Sequence, residues 1–156
     1  MPQIEYVTLA HHAEALGGLL YLQGAGWTDL EQPVDEDGNF GMLHLGIGVS
    51  IIIGWNETNR TYPLTISVEH EDGEQLFAVE GSVEAGRPAG AIPGADLRSV
   101  LAVSGEVQFG RPGGYVVRAY IGDDEGGSAR NVSFRVNFPA GLQAPPQAGG
   151  PADFSL

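Results

Sequence analysis

Asn131-Val132-Ser133-Phe134-Arg135-Val136-Asn137-Phe138 decides the fold class, because it alternates polar and apolar residues without a break. Val132, Phe134, Val136 and Phe138 fall on one face, and Asn131, Ser133, Arg135 and Asn137 on the other. A period of two belongs to an extended chain with one side against a core. The same pattern recurs upstream. Residues 64–69 turn Leu64, Ile66 and Val68 inward and Thr65, Ser67 and Glu69 outward. Residues 75–84 turn Phe77, Val79 and Val83 inward, 99–109 turn Leu101, Val103, Val107 and Phe109, and 115–121 turn Tyr115, Val117, Ala119 and Ile121. Segments 3–12, 19–29 and 40–53 complete a set of about eight strands. Turn signals separate them: Leu16-Gly17-Gly18, Asp72-Gly73, Arg111-Pro112-Gly113-Gly114 and residues 123–127. Residues 5–16 can be forced into a helical pattern, but Tyr6, Val7 and Thr8 favour a strand. The expectation is an all-β chain: an antiparallel β-sandwich of about eight strands, immunoglobulin-like or C2-like.

The 156 residues suit one domain, and 42% apolar content supplies its core. The 24 Gly and 10 Pro act as turn punctuation through the body and cluster only near the end. Residues 1–138 are therefore expected to form the domain, and 139–156, rich in Pro, Ala and Gly, a disordered tail. Its last residues, Asp153-Phe154-Ser155-Leu156, read as a frayed end rather than a docking peptide.

Cysteine is absent, which removes disulfides, thiol nucleophiles and cysteine metal sites. All seven basic residues are Arg, so Schiff-base chemistry and a phosphate-loop lysine are excluded as well. The formal net charge of −13 repels phosphate backbones, and nucleic acid is not an expected partner. No apolar run is long enough to span a membrane and no signal peptide is seen at the N-terminus, so membrane insertion is not expected and a cytoplasmic location is.

Several segments resemble a known family: Glu5-Tyr6-Val7 with Leu9-Ala10, Gly18-Leu19-Leu20-Tyr21 through Gly24-Ala25-Gly26-Trp27, Trp55-Asn56-Glu57-Thr58-Asn59-Arg60, Gly86-Arg87-Pro88 and Pro112-Gly113-Gly114-Tyr115. Together they look like an uncharacterised bacterial family, common in actinobacteria, of single β-sandwich domains. The resemblance covers roughly residues 3–138, and the Trp-Asn-Glu-Thr-Asn-Arg stretch is its most specific element. It implies fold and bacterial origin, and no catalytic residues.

Two loop regions are candidates for binding. If successive strands run antiparallel, loop 30–39, hairpin 71–74 and turn 110–114 share one end, gathering Asp35, Glu36, Asp37, Asn39, Glu71, Asp72 and Glu74. Calcium takes six to eight hard oxygens from such loops, and Asp35, Asp37, Asn39 and Asp72 are the metal candidates. Asp35-x-Asp37-x-Asn39 opens like a calcium loop, but Phe40 stands where the tight-turn Gly belongs and Gly46 where the bidentate Glu belongs. Solvated turn residues are the plainer account. At the other end, Trp55, Asn56, Glu57, Asn59 and Arg60 offer a stacking face with hydrogen-bonding groups suited to a sugar or a peptide. The structural alternative has Trp55 capping the core, Asn56 and Asn59 holding turns, and Glu57 pairing with Arg60. His11 and His12 point to opposite faces of a strand, so a histidine metal site would have to recruit His44 or His70 with a carboxylate. No Gly-x-Ser-x-Gly elbow or dinucleotide loop is present.

Residues 43–53 carry one unbroken apolar face, Leu43, Leu45, Ile47, Val49, Ile51 and Ile53. The opposite face, His44, Gly46, Gly48 and Ser50, is small and smooth, and a backbone or a second sheet can approach it closely. Either a partner, or a neighbouring loop or the chain's own N-terminal strand, is expected to cover it. The functional expectation is a non-catalytic binding or assembly module, for a protein partner or for itself through that flat sheet face. A calcium-dependent recognition domain using loops 30–39 and 71–74 is the alternative, and an enzyme of unknown type the second. No cofactor other than calcium is foreseen.

Overall fold

The computed structural model describes residues 1–123, 126–139 and 151–155, the last five as backbone. Eleven strands appear among them: β1 (Gln3–Ala10), β2 (His12–Leu16), β3 (Leu19–Gln23), β4 (Asp29–Glu31), β5 (Leu43–Ile53), β6 (Thr61–His70), β7 (Gln75–Glu84), β8 (Leu97–Val107), β9 (Gly113–Ile121), β10 (Ser128–Asn137) and β11 (Pro151–Ser155). The described residues are all-β, with one short 3₁₀ turn at Trp55–Glu57. No described helix is long and apolar enough to cross a membrane.

One sheet has the order β1-β5-β8-β11, a second β4-β10-β9-β6-β7, and a third is the hairpin β2-β3. Pairing is antiparallel except between β4 and β10, which run parallel over three residues. The two large sheets share one core. β5 contributes Leu45, Ile47, Val49, Ile51 and Ile53, all wholly buried, and β6, β9 and β10 contribute Leu64, Ile66, Val68, Val117, Ala119, Ile121, Phe134 and Val136. Phe109 sits among Tyr115 and Phe134, with ring centroids 4.9 and 5.7 Å away. These are the residues that alternation turns inward, so period-two reading located the core correctly.

The count of eight strands is too low, for reasons local to the first thirty residues and the end. The expected strand 3–12 breaks at His11, where the chain leaves its sheet and starts β2. Gly17 and Gly18 have φ of +59° and +78°, the two left-handed positions of a tight two-residue turn, and they fold β3 back so that Leu16 faces Leu19. The expected strand 19–29 ends at Gln23, and only Asp29–Glu31 returns to a large sheet. Residues 140–150 and 156 of the expected disordered tail lie outside the described residues. Pro151–Ser155 pairs antiparallel with β8, placing Asp153 opposite Glu106.

Hairpin β2-β3 lies over the outward side of β5. A Cβ on Gly46 would stand 2.5 Å from the Ala13 nitrogen and 2.7 Å from the His12 carbonyl carbon, and one on Gly48 would stand 2.8 Å from Leu20 Cδ2. The Ser104 hydroxyl on β8 fastens the crossing, accepting from the Ala13 amide at 3.0 Å and donating to the Ala13 carbonyl at 2.6 Å. The smooth face is thus covered by the chain's own N-terminal hairpin, and its small residues are there to admit a backbone.

Candidate functional site

The acidic loops do share one end, as alternation of loops requires, but their carboxylates are engaged locally. Asp35 accepts from the Asp37 and Asn39 amides at 2.9 and 2.8 Å and from Asn39 Nδ2 at 3.0 Å. Those bonds, the Asn39 side chain first, hold its carboxyl below the ordinary value. Asp72 accepts from the Glu74 amide at 2.9 Å and pairs with Arg111 at 2.5 Å, while Arg111 also reaches Glu74 at 2.7 Å. The Glu74 amide and the Arg111 guanidinium hold the Asp72 carboxyl down to about 2. Asp35, Asp37 and Asn39 thus form one small turn and Asp72 belongs to another. Among the described residues no three metal-capable side chains converge.

Sequence reasoning missed what binds this end together. Gln32, wholly buried, accepts from the Phe109 amide at 2.8 Å and donates to the Gly41 and Pro33 carbonyls at 2.7 and 3.1 Å. Every polar atom of that side chain is used, so loop and sheet are stapled without a charge. His70 is also buried and lies 3.1 Å from the Pro112 carbonyl through Nε2. A carbonyl only accepts, so Nε2 carries a proton, while Nδ1 lies 3.3 Å from the Asp72 amide and 3.1 Å from its carboxylate. The cavity beside it, lined by His70, Leu76, Arg111 and Tyr115, measures about 20 Å³. That is room for one water, not for a substrate. Burial pushes the Tyr115 hydroxyl up to about 12, and it donates to the Arg111 carbonyl at 2.7 Å.

At the opposite end, Trp55, Asn56, Glu57, Asn59 and Arg60 are together, with Asn56, Asn59 and Arg60 exposed. Their chemistry is turned inward on the chain. Arg87 lies over the Trp55 ring, 4.3 Å from its centre, and donates to the Trp55 carbonyl at 2.9 Å and the Thr58 hydroxyl at 2.7 Å. Glu57 does not pair with Arg60: it accepts from the Gly54 amide at 2.9 Å and meets the Met1 ammonium. Asn59 takes the left-handed conformation, φ +58°, and its amide donates to the Ala85 carbonyl at 2.8 Å. The stacking face expected for a ligand is held by Arg87, which the Gly86-Arg87-Pro88 stretch carried without revealing its partner.

The hairpin exposes several large apolar side chains. Leu16 is 63% exposed, Leu19 60% and Tyr21 51%. Leu16 pairs with Leu19, and Glu14 with Tyr21, so Leu16, Leu19 and Tyr21 share the outward face of the two-stranded sheet with Glu14. Residues 15–27 carry no charge, in a chain with 20 acids. Among the described residues β3 has one sheet neighbour, β2, and its other edge, Leu19-Leu20-Tyr21-Leu22-Gln23, has no Pro or charge of its own. At the base of the hairpin His11 and His12 diverge as adjacent strand residues must. His11 stacks on Trp27, centroids 5.9 Å apart, and His12 meets His44, with Nδ1 and Nε2 3.2 Å apart.

A family model described as a family of unknown function (DUF6941) matches residues 5–137, which takes in the hairpin and both loop ends. No curated protein matches the chain.

Proposed function

The chain belongs to that family of unknown function, and because membership brings no activity with it, we propose from the geometry that this is a non-catalytic assembly module whose β3 edge pairs with a second copy of itself. The finer reading of the fold is a β-sandwich, two large sheets closed on one core, with the hairpin laid across one outer face as the assembly element. The observation that carries the proposal is the exposed apolar crest of Leu16, Leu19 and Tyr21 beside a strand edge that no described strand pairs.

The physical case has three parts. An open strand edge presents backbone donors and acceptors that a second strand satisfies. A protein of net charge −13 opposes contact with its own copies where acids stand, and residues 15–27 are one exposed stretch without them. Antiparallel pairing of β3 with its own copy is self-complementary about a two-fold axis, so it closes at two subunits.

Light scattering behind size-exclusion chromatography, over a concentration series reaching the millimolar range, tests the reading. Dimer mass is expected for the wild type, rising with concentration, and monomer mass for the Leu19→Glu/Tyr21→Ser variant. Both side chains are more than half exposed, so the variant retains the core. A wild type that stays monomeric throughout, or a dimer that survives the double substitution, overturns it.

A further inference from the structure

His12 and His44 come from strands far apart in sequence and in different sheets, yet their ring nitrogens Nδ1 and Nε2 stand 3.2 Å apart. The approach is built in by Gly46. The main chain of His12 rests on the Cα of Gly46, where a side chain would collide with it. His44 lies two residues earlier on the same strand face. The hairpin crossing therefore fixes where His12 stands relative to His44. The rings are tilted by 31° with centroids 5.4 Å apart.

We propose that His12 and His44 bind a divalent transition-metal ion of the zinc class, with Glu106 supplying a carboxylate as the third protein ligand. Two zinc–nitrogen bonds of about 2.0–2.1 Å at a tetrahedral angle put the nitrogens about 3.3 Å apart, the spacing this pair already has. Imidazole nitrogen with carboxylate oxygen is a donor set that suits zinc and its neighbours and not calcium. Glu106 is exposed and directly opposite His44 in the β5–β8 register. Directly opposite residues have Cβ atoms about 5 Å apart, so a Glu rotamer reaches the ion. Its carboxylate has yet to close on the pair, since no three metal-capable side chains among the described residues converge. Binding joins the hairpin to the sheet beneath it, and the ion's role is to lock the crossing. This site does not depend on pairing between copies.

The test uses the full chain, cleared of metal with a chelator and titrated with zinc chloride by calorimetry at a concentration where it is monomeric. One zinc per chain is expected, and cobalt in its place should give the visible absorption of a tetrahedral ion. His44→Ala, an exposed substitution, abolishes the one-to-one binding while melting in chelator as the wild type does. His11→Ala, which faces Trp27, retains binding. No zinc uptake by the wild type, or uptake unchanged in His44→Ala, overturns the site and leaves a plain hydrogen bond between two imidazoles. Binding unchanged in Glu106→Gln overturns the carboxylate's part in it.

Discussion

Replacing Gly46 with Ala asks whether the hairpin really lies on β5. The added Cβ would meet the Ala13 nitrogen at 2.5 Å, the His12 carbonyl carbon at 2.7 Å and the His12 Cα at 3.0 Å. All three are main-chain atoms, so no rotamer change relieves the clash. Restoring an ordinary contact lifts the hairpin by about 1 Å. That movement stretches both hydrogen bonds between Ser104 and Ala13, now 3.0 and 2.6 Å, each worth about 1 kcal/mol. Overpacking of this kind costs about 1–3 kcal/mol in its own right. Against these stands a gain of about 0.4–1 kcal/mol from the stiffer unfolded chain. The net destabilisation is about 2–4 kcal/mol. For a chain of this length each kcal/mol moves the midpoint by about 2–4 °C, so the melt should fall by about 4–16 °C. Circular dichroism or scanning fluorimetry reads it. Gly86→Ala is the control, because the nearest atom to its Cβ is Asn59 Oδ1 at 3.9 Å. If Gly46→Ala melts with the wild type, the hairpin does not rest there, and the account of the smooth face fails.

Two further outcomes follow from the acidic end. Gln32→Leu keeps the volume but strands the Phe109 amide and the Gly41 carbonyl in a buried place, which should cost about 2–5 kcal/mol in urea denaturation; a loss below about 1 kcal/mol would mean that water replaces the side chain without penalty. Asp72 has its folded carboxyl lowered from 3.8 to about 2, so it contributes stability above the unfolded value and loses that contribution as pH falls from 4 towards 2. Urea melts of wild type and Asp72→Asn should therefore differ by a constant amount at neutral pH and converge through that window, and a gap that persists at pH 2 refutes the assignment.

Alternation along single strands was enough to place the core. Leu64, Ile66 and Val68, or Tyr115, Val117, Ala119 and Ile121, face inward because an extended chain turns every second side chain the same way, whatever it packs against. The shared end of loops 30–39 and 71–74 was legible for the same kind of reason, since antiparallel strands return loops to alternate ends. The His11 break and the hairpin that follows it were not. A strand that stays in its sheet and one that peels off to cover it have the same local pattern, and only the fit of Ala13 over Gly46 and Leu20 over Gly48 separates them.

Residue identity determined that this protein has no thiol or lysine chemistry and that its charge is strongly negative, and local period along the sequence determined that it is all-β. Which polar groups are spent and which remain for binding was decided only by the tertiary structure. Trp55 was occupied by Arg87, 32 residues away, Gln32 by Phe109, and His12 was brought to His44. Hydrogen bonds and ring contacts act over a few ångströms, and sequence spacing does not say which residues come that close.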